Sequence, residues 1–599
     1  LGDLARGRIS PLYIAVRHPG TPRSHNEATG RVLLDNVSGF AKPGQLMALM
    51  GASGSGKTTL LNTLLARNLK GLEVEGTVEV NGNEVGRQIS AISGYAQQEE
   101  LFIGTLTVRE YLSIQAVLRT NLSKKGRELR VGAILSKLGL TKCQNTRIGV
   151  VGIRKGISGG EARRLTFACE MLSNPALLFC DEPTTGLDSF MAENVVTVLS
   201  KLAKGGRTIV CTMHQPASQL FLMFDRVMLL AGGHTAFFGT PRECIKFFEE
   251  CGYPCPRNYN PADLLIHTLA IVPNEEEACR IRVTQICDAF ENGSYGKALI
   301  REIASIPLSK VPDGRRQIHF FTQVAALLHR HCLDNLRNPA LARAKFLQKA
   351  VLGLFIGLLY FQTPLTIIGV GNVNGALFYI VCELTYSTLF GILACIPSDH
   401  PLVIREYHDG LYNVISYYLA RIMSYMPLFS LDGLVMLYVC YWMVGFSSSL
   451  SQVLLASLIS LLTEQSATAC GVMIGSISPS YPVPIVVTFH VAASLAGPLL
   501  TLLSLTGGLY ANVGSLPVYI SWIQYFSWFR YGFELFAINQ WEEVNNSTIW
   551  GPKYRDEVLS QLSFKSDRFA LDLILITAFI FGFYVIGYVG LLIRVYRAR

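Results

Sequence analysis

The stretch "GASGSGKT" at 51–58 matches the spacing G-x-x-x-x-G-K-[ST]. A strand-like run, "LMALM", precedes it and a helical pattern follows, the context such a loop requires. Small residues let successive backbone N–H groups turn inward around phosphates, and the helix start adds partial positive charge. Gly51, Ser53, Gly54, Gly56, Lys57, Thr58 and Thr59 are therefore the candidate ATP-binding residues. Lys57 is expected on the β- and γ-phosphates and the Thr58 hydroxyl on Mg²⁺. Further on, "ALLFCDEP" (176–183) is an apolar strand ending in two acids, as expected in the buried middle of a parallel sheet. Asp181 can reach Mg²⁺ and Glu182 can polarise an attacking water. Together these supply the phosphate clamp, metal and positioned water that phosphoryl transfer needs. His214, at the end of the strand-like run in "TIVCTMHQP", is expected near the γ-phosphate and that water. In "GYAQQEE", Gln98 is the candidate sensor of metal and water; Gln97 is its rival, and the flanking register favours Gln98. A second phosphate-cradle pattern opens a helix at "ISGGEARRL" (157–165).

The elements that must position these residues alternate. Strand-like runs at 176–180, 208–212 and 226–231 are interleaved with helical patterns such as 190–203, which predicts an α/β domain around a mainly parallel sheet. The whole chain has 599 residues, 50% of them hydrophobic, with mean hydropathy +0.33. That average conceals two halves. Residues 1–340 hold most of the charge; within them 1–303 read as a cytosolic nucleotide-binding domain, and 304–342 read as a linker and an amphipathic connecting helix. Residues 343–599 read as an all-α transmembrane domain with six spans, at about 343–362, 375–397, 413–445, 450–477, 482–510 and 569–594. The segment 513–568 reads as extracellular or re-entrant, because Arg530 and Glu534 interrupt its aromatic run. Trp522, Trp528, Tyr525 and Tyr531 suit the headgroup level.

The net charge of +9 could suit nucleic acid or an anionic membrane face. The basic residues flank apolar runs: Arg330, Arg337, Arg343, Lys345 and Lys349 before the first, and Arg594, Arg597 and Arg599 after the last. That positive-inside pattern favours a lipid bilayer over nucleic acid and puts both termini in the cytosol. Of 14 cysteines, the ten between Cys143 and Cys332 read as reduced structural thiols. No cleavable signal pattern opens the chain, and the native N-terminus is expected to precede Leu1. Four ionisable residues fall inside spans: Glu383, Asp432, Glu464 and His490. Each is expected either to pair with a neighbouring helix or to serve transport. Overlapping sequons put candidate glycosylation sites at Asn545 and Asn546, on the outer side of the predicted topology.

In order, the glycine loop, the glutamine, "SGGE", the acidic pair, "GLDS" (186–189) and the histidine resemble an ABC-transporter ATPase. The order of nucleotide domain before six spans resembles the G subfamily, as do "NYNPAD" (258–263), "GTLTVREYL" (104–112) and "SWFRYGFE" (527–534). Within it the chain is most similar to the White group, the eye-pigment precursor half-transporters. The resemblance implies that Ser158, Gly159, Gly160 and Glu161 contact a γ-phosphate held by the opposite nucleotide domain, with Asp188 running along that dimer interface. It implies a substrate cavity that takes in Phe378, Tyr379, Glu383 and Tyr386 from "GALFYIVCELTY" (375–386). Thr501, Leu509 and Tyr510, at the end of the fifth span, complete it, with Leu509 and Tyr510 at a plug. "REYHDGLY" (405–412) resembles the segment that couples the two domains. The implied partner is a second half-transporter chain: a heterodimer is typical of the White group, and a homodimer is the rival. The implied cargo is a small molecule such as a purine, a tryptophan metabolite or an amine. The alternatives are sterol, lipid or broad xenobiotic export, or an ATP-gated channel or regulator. The membrane is that of the cell or of a vesicle.

Overall fold

The computed structural model describes residues 14–17 and 23–26, 32–149 apart from 68, 70 and 71, and 155–338 apart from 312, 313 and 316. It also describes 343–597 apart from 365, 394, 479–484 and 543–551. The chain divides into two compact units. The first comprises Leu1–Ala326, Arg405–Asn413 and Ala598–Arg599; the second comprises Leu327–Ile404 and Val414–Arg597. The boundary near 326 falls inside the helix Phe320–Arg337.

In the first unit a six-stranded sheet runs in the order His234–Gly239, Arg226–Ala231, Leu46–Gly51, Thr208–Thr212, Leu177–Cys180, Ser93–Ala96. All neighbours are parallel except the first pair. Leu46–Gly51, Leu177–Cys180 and Thr208–Thr212 are buried at every position, which is why they read as unbroken apolar runs. The register pairs Cys180 with both Ala96 and Cys211, and Thr212 with Leu49. The C-terminal ends of four strands therefore lie side by side. The loops leaving them begin at Ala52, Gln97, Asp181 and Met213, so parallel register alone gathers the candidate residues along one sheet edge.

In the second unit the helices Lys345–Leu359, Ile367–Leu393, Val414–Val444, Leu450–Ile477, Ile485–Leu505 and Phe569–Arg597 stand where six spans are predicted. Among the described residues, four stretches are long and apolar enough to cross a bilayer: Ile368–His408, Val414–Val444, Leu450–Ile477 and Ser566–Arg597. The first helix has 15 residues, or roughly 22 Å at 1.5 Å per residue, short of a ~30 Å hydrocarbon core. The second begins earlier than predicted. The side chain of His490 and the residues Asn545 and Asn546 lie outside the described residues.

Two sequence expectations are corrected here. Lys345 and Lys349 do not flank the first apolar helix; both are buried, Lys349 completely. Their charges meet acidic residues of the three following helices, so depth in the unit, not proximity to an apolar run, decides where they sit. The second correction concerns Arg530 and Glu534. The helix Trp528–Trp541 is buried along its whole length, so Trp528 and Tyr531 are core residues; Trp522 and Tyr525 remain exposed. Arg530 faces Glu534 one turn away at 3.7 Å and donates to Gln524 at 2.8 Å. Mutual neutralisation lets both charges enter the core.

Candidate functional site

Lys57 opens the helix Lys57–Leu64, and its ammonium donates to the carbonyl oxygens of Gly51 (2.8 Å) and Ala52 (3.0 Å). The loop between them depends on its glycines. Gly51, Gly54 and Gly56 have φ of +154°, +78° and +99°, a region costly for other residues. A Cβ on Gly51 would collide with the carbonyl oxygen of Leu230. Ser53, Gly54 and Thr58 are exposed and Thr59 is half-buried, leaving a cradle whose lining is backbone amide and hydroxyl. Burial lowers the Lys57 ammonium's proton affinity, while the nearby Glu182 and Asp181 oppose that shift. These donors fit a triphosphate and its Mg²⁺: Thr58 and Asp181 supply oxygen ligands suited to a hard divalent cation.

Across the loop, three strand ends build one hydrogen-bonded network. The Thr212 hydroxyl donates to Asp181 Oδ1 at 2.6 Å and accepts from the Glu182 amide at 2.8 Å. Glu182 has φ +44°, a left-handed conformation for a non-glycine residue, held by that amide bond. Its Oε2 accepts from Gln98 Nε2 (2.8 Å) and Thr185 Oγ1 (3.0 Å). Gln98 is thus the glutamine that reaches the acid, whereas Gln97 offers its carbonyl to Arg163 at 3.2 Å. Tyr95 OH donates to Asp181 Oδ2 at 3.4 Å. Burial pushes the Asp181 carboxyl above its ordinary value, and the Thr212 hydrogen bond works against that shift. His214 follows the same strand edge and is exposed. Thr212 and Tyr95 carry no motif, and sequence reasoning missed both.

Ser158 caps the helix Gly159–Leu172 through a reciprocal box. Its Oγ accepts from the Glu161 amide at 3.3 Å, while Glu161 Oε2 accepts from the Ser158 amide at 2.9 Å. Burial raises the Glu161 carboxyl's proton affinity, but the Ser158 hydrogen bonds outweigh it and hold the group below its ordinary value. Asp188 caps the next helix, Ser189–Lys204, by accepting from the Met191 amide at 2.7 Å. Gly160 lies against Met191, where a Cβ would come within 2.7 Å of the thioether methyl. The signature and Asp188 are therefore one packed surface, with Gly159, Asp188 and Phe190 exposed.

The segment Arg405–Asn413 belongs to the same unit. Its Asp409 is buried between Arg67 (2.9 Å) and Arg119 (3.3 Å), and Arg119 also grips Glu170 with two bonds of 2.8 and 2.9 Å. Burial opposes the Asp409 charge, yet Arg67, Arg119, Arg405 and Arg315 outweigh it and hold the carboxyl below its ordinary value. Glu406 accepts from Gln115 and Tyr412, both at 2.7 Å. Asp409 was not singled out in the sequence, because its arginines lie hundreds of residues away.

In the second unit Tyr379, Glu383 and Tyr386 share one face of Ile367–Leu393. Phe378 is the exception. At 100° per residue it points about 80° from Tyr386 and about 140° from Glu383. It is buried against Phe533 (5.2 Å) and the ring of Tyr510 (5.3 Å). Tyr386 OH meets Ser504 Oγ at 3.3 Å. Tyr379, Thr501 and Tyr510 are exposed, while Leu509 packs against the core. One buried oxygen of Glu383, Oε1, has no hydrogen-bond partner.

Comparison with known proteins accounts for both units. A family model described as ABC transporter matches residues 34–185, and two described as ABC-2 type transporter match 322–541 and 214–289. The ABC transporter ATP-binding protein/permease wht-3 of Caenorhabditis elegans is 49% identical over 95% of this chain and 91% of its own length. Protein white of Drosophila melanogaster is 38% identical over 98% and 86%. The broad substrate specificity ATP-binding cassette transporter ABCG2 of Mus musculus is 31% identical over 85% and 80%. A P-loop α/β ATPase unit followed by a helical membrane unit, with relatives of this similarity along nearly the whole chain, gives one conclusion: the chain is a White-type member of the G subfamily of ABC transporters, an ATPase coupled to transport across a membrane.

Proposed function

We propose that this chain is one half of an ATP-driven exporter of small, polar, planar molecules, completed by a second half-transporter chain. The observation that carries turnover is the network Gln98–Glu182–Thr212–Asp181 beside Lys57. Glu182 is held to orient the attacking water, Gln98 to tie that water to the metal side, and His214 to approach the γ-phosphate from the next strand end. Thr58 and Asp181, with Gln98 nearby, would hold Mg²⁺, which would supply charge neutralisation at the triphosphate. A chain with one glycine loop and one signature needs a partner's counterpart for each. The surface around Ser158–Glu161, on which Ser158, Gly159 and Asp188 are exposed, suits that role, with nucleotide between two chains facing head to tail. A heterodimer is the reading that follows from White-type kinship.

Residues 1–303 act as the cytosolic nucleotide domain, 304–342 as the connection, and 343–599 as the six-span membrane domain. Tyr379, Glu383, Tyr386, Thr501 and Tyr510 form the substrate face. Aromatic faces sandwich flat rings, and the half-buried Glu383 carboxyl group can accept from N–H donors, which favours purines, tryptophan-derived precursors or amines over sterols. The second reading, broad xenobiotic export, is favoured by the similarity to the broad-specificity mouse transporter. Asn545 and Asn546 are proposed as extracellular glycosylation sites, to be checked by a glycosidase mobility shift.

The deciding experiment uses purified protein, with and without a candidate White-type partner, in a vanadate-sensitive ATPase assay. Glu182→Gln is expected to abolish turnover while retaining ATP binding; equal rates refute catalysis at this site. Purines and amines are expected to stimulate the native enzyme and not Glu383→Gln. Unchanged stimulation in that variant, or stimulation by sterols alone, overturns the substrate reading.

A further inference from the structure

The second unit contains a charged cluster of which the proposed substrate face uses only Glu383. Lys345 and Lys349 come from Lys345–Leu359, Glu383 from Ile367–Leu393, Asp432 from Val414–Val444 and Glu464 from Leu450–Ile477. Lys349, Asp432 and Glu464 are each 0% exposed. Lys349 Nζ lies 3.9 Å from Glu464 Oε1 and donates to the Glu383 carbonyl at 3.0 Å. Lys345 Nζ donates to the Ser387 carbonyl at 2.6 Å and stands over the Phe429 ring at 4.7 Å. Thr388 Oγ1 donates to Glu464 Oε1 at 2.8 Å. Four carboxyl oxygens here are buried without any hydrogen-bond partner: Oε1 of Glu383, Oδ1 and Oδ2 of Asp432, and Oε2 of Glu464.

Two lysines face three carboxyl groups, so full ionisation would leave one uncompensated negative charge in an apolar interior. Asp432 and Glu464 interact with each other and with the same two lysines. Two carboxylates that share a counter-ion away from water do not both ionise freely. The packing around Glu464 Oε2 is also tight. A methyl group on Gly433 would collide with Glu464 Oε2, lying 2.8 Å from its carboxyl carbon and 3.0 Å from Leu384 Cδ2.

We propose that Asp432 and Glu464 share one exchangeable proton, forming an intramembrane proton-binding site clamped by Lys349. The acid O–H supplies the donor that the orphaned oxygens lack. Cys395 interacts with Lys345. Of the three further helices packed on Leu450–Ile477, Trp528–Trp541 and Phe569–Arg597 carry Arg530, Glu534 and Asp572, which interact among themselves; Ile485–Leu505 carries His490, whose side chain lies outside the described residues. Because Asp432 and Glu464 sit on different helices, any rearrangement that parts those helices changes the affinity for the proton. Transport is thereby linked to pH.

The test is infrared spectroscopy of the full-length protein in lipid nanodiscs at neutral pH, reading the carbonyl stretch of buried carboxylic acid and its shift in deuterium oxide. Native protein is expected to show this band. Asp432→Asn and Glu464→Gln each leave two lysines facing two carboxylates, so each is expected to remove the shared-proton component. Lys349→Met adds one uncompensated charge and is expected to increase the acid band. Absence of the band in native protein overturns the proposal without any variant. So does a band that survives both amide substitutions, or one that only Glu383→Gln removes. Loss of the band on adding sodium or potassium also overturns it, by placing a metal cation there.

Discussion

Asp409→Asn should loosen the segment Arg405–Asn413 from the nucleotide-binding unit by a calculable amount. The Asp409 side chain is 5% exposed and that of Arg67 is 7%, with their atoms 2.9 Å apart. Arg119 retains its two bonds to Glu170 when Asp409 loses its charge. Arg67 does not fare as well: among the described residues, Asp409 is the carboxylate in its ion pair. Leaving one partner of a buried pair uncompensated costs about 3–5 kcal/mol. Asparagine keeps the shape and one acceptor oxygen, so the lower end, about 3 kcal/mol, applies. At about 1.4 kcal/mol per factor of ten, opening should become roughly a hundredfold easier. Three amides report it directly: Asp409 N on Arg405 O, Gly410 N on Tyr407 O, and Leu411 N on Glu406 O. Hydrogen exchange should show their protection falling by about that factor, with the strand Leu46–Gly51 unchanged. The Asp409 carboxyl is held below its ordinary value of 3.8, so its stabilisation is complete above that value and is lost only as pH falls through the lower folded value. The native-to-variant difference should therefore be flat around neutral pH. Protection within threefold of native, or a difference that grows through the neutral range, would refute this account. Substrate-stimulated ATPase should fall more than basal ATPase, because the perturbed segment lies outside the phosphate site.

Thr212→Val removes the donor to Asp181 and the acceptor of the Glu182 amide. ATP hydrolysis should drop while nucleotide affinity, measured by equilibrium binding, stays close to native; the lost buried hydrogen bonds should cost about 1–3 kcal/mol of local stability. Gly51→Ala places a methyl on the Leu230 carbonyl oxygen, so ATP should no longer raise the thermal unfolding temperature. Ser158→Ala should cost only about 1 kcal/mol as a lost helix cap, seen as a small shift in that temperature. Its ATPase should be lost out of proportion to that shift if the serine serves a partner's nucleotide, and should track the shift if it only caps.

The phosphate site was legible because its parts are contiguous motifs and a parallel sheet has one edge at which to put them. Once Leu46–Gly51, Leu177–Cys180 and Thr208–Thr212 are adjacent and in register, Lys57, Glu182 and His214 have no other place to go. Residues that act by long-range pairing left no such mark. Asp409 is an ordinary loop acid until Arg67 and Arg119 arrive beside it. Thr212 is an unremarked strand residue until Asp181 ends the neighbouring strand. The membrane unit shows a different limit. Lys345 and Lys349 were read as a basic flank because that rule counts charge near an apolar run and carries no information about depth. The correction was nonetheless available in the sequence as a balance. Glu383, Asp432 and Glu464 are acids inside apolar helices, and an acid there must find a cation or keep a proton. Arg530 and Glu534 likewise stand four residues apart, the spacing at which opposite charges meet on one helix face, so their pairing was foreseeable and with it the burial of Trp528–Trp541. Intramembrane charges are best read as a set: counted one by one they argue against burial, whereas counted together they specify which helices must touch.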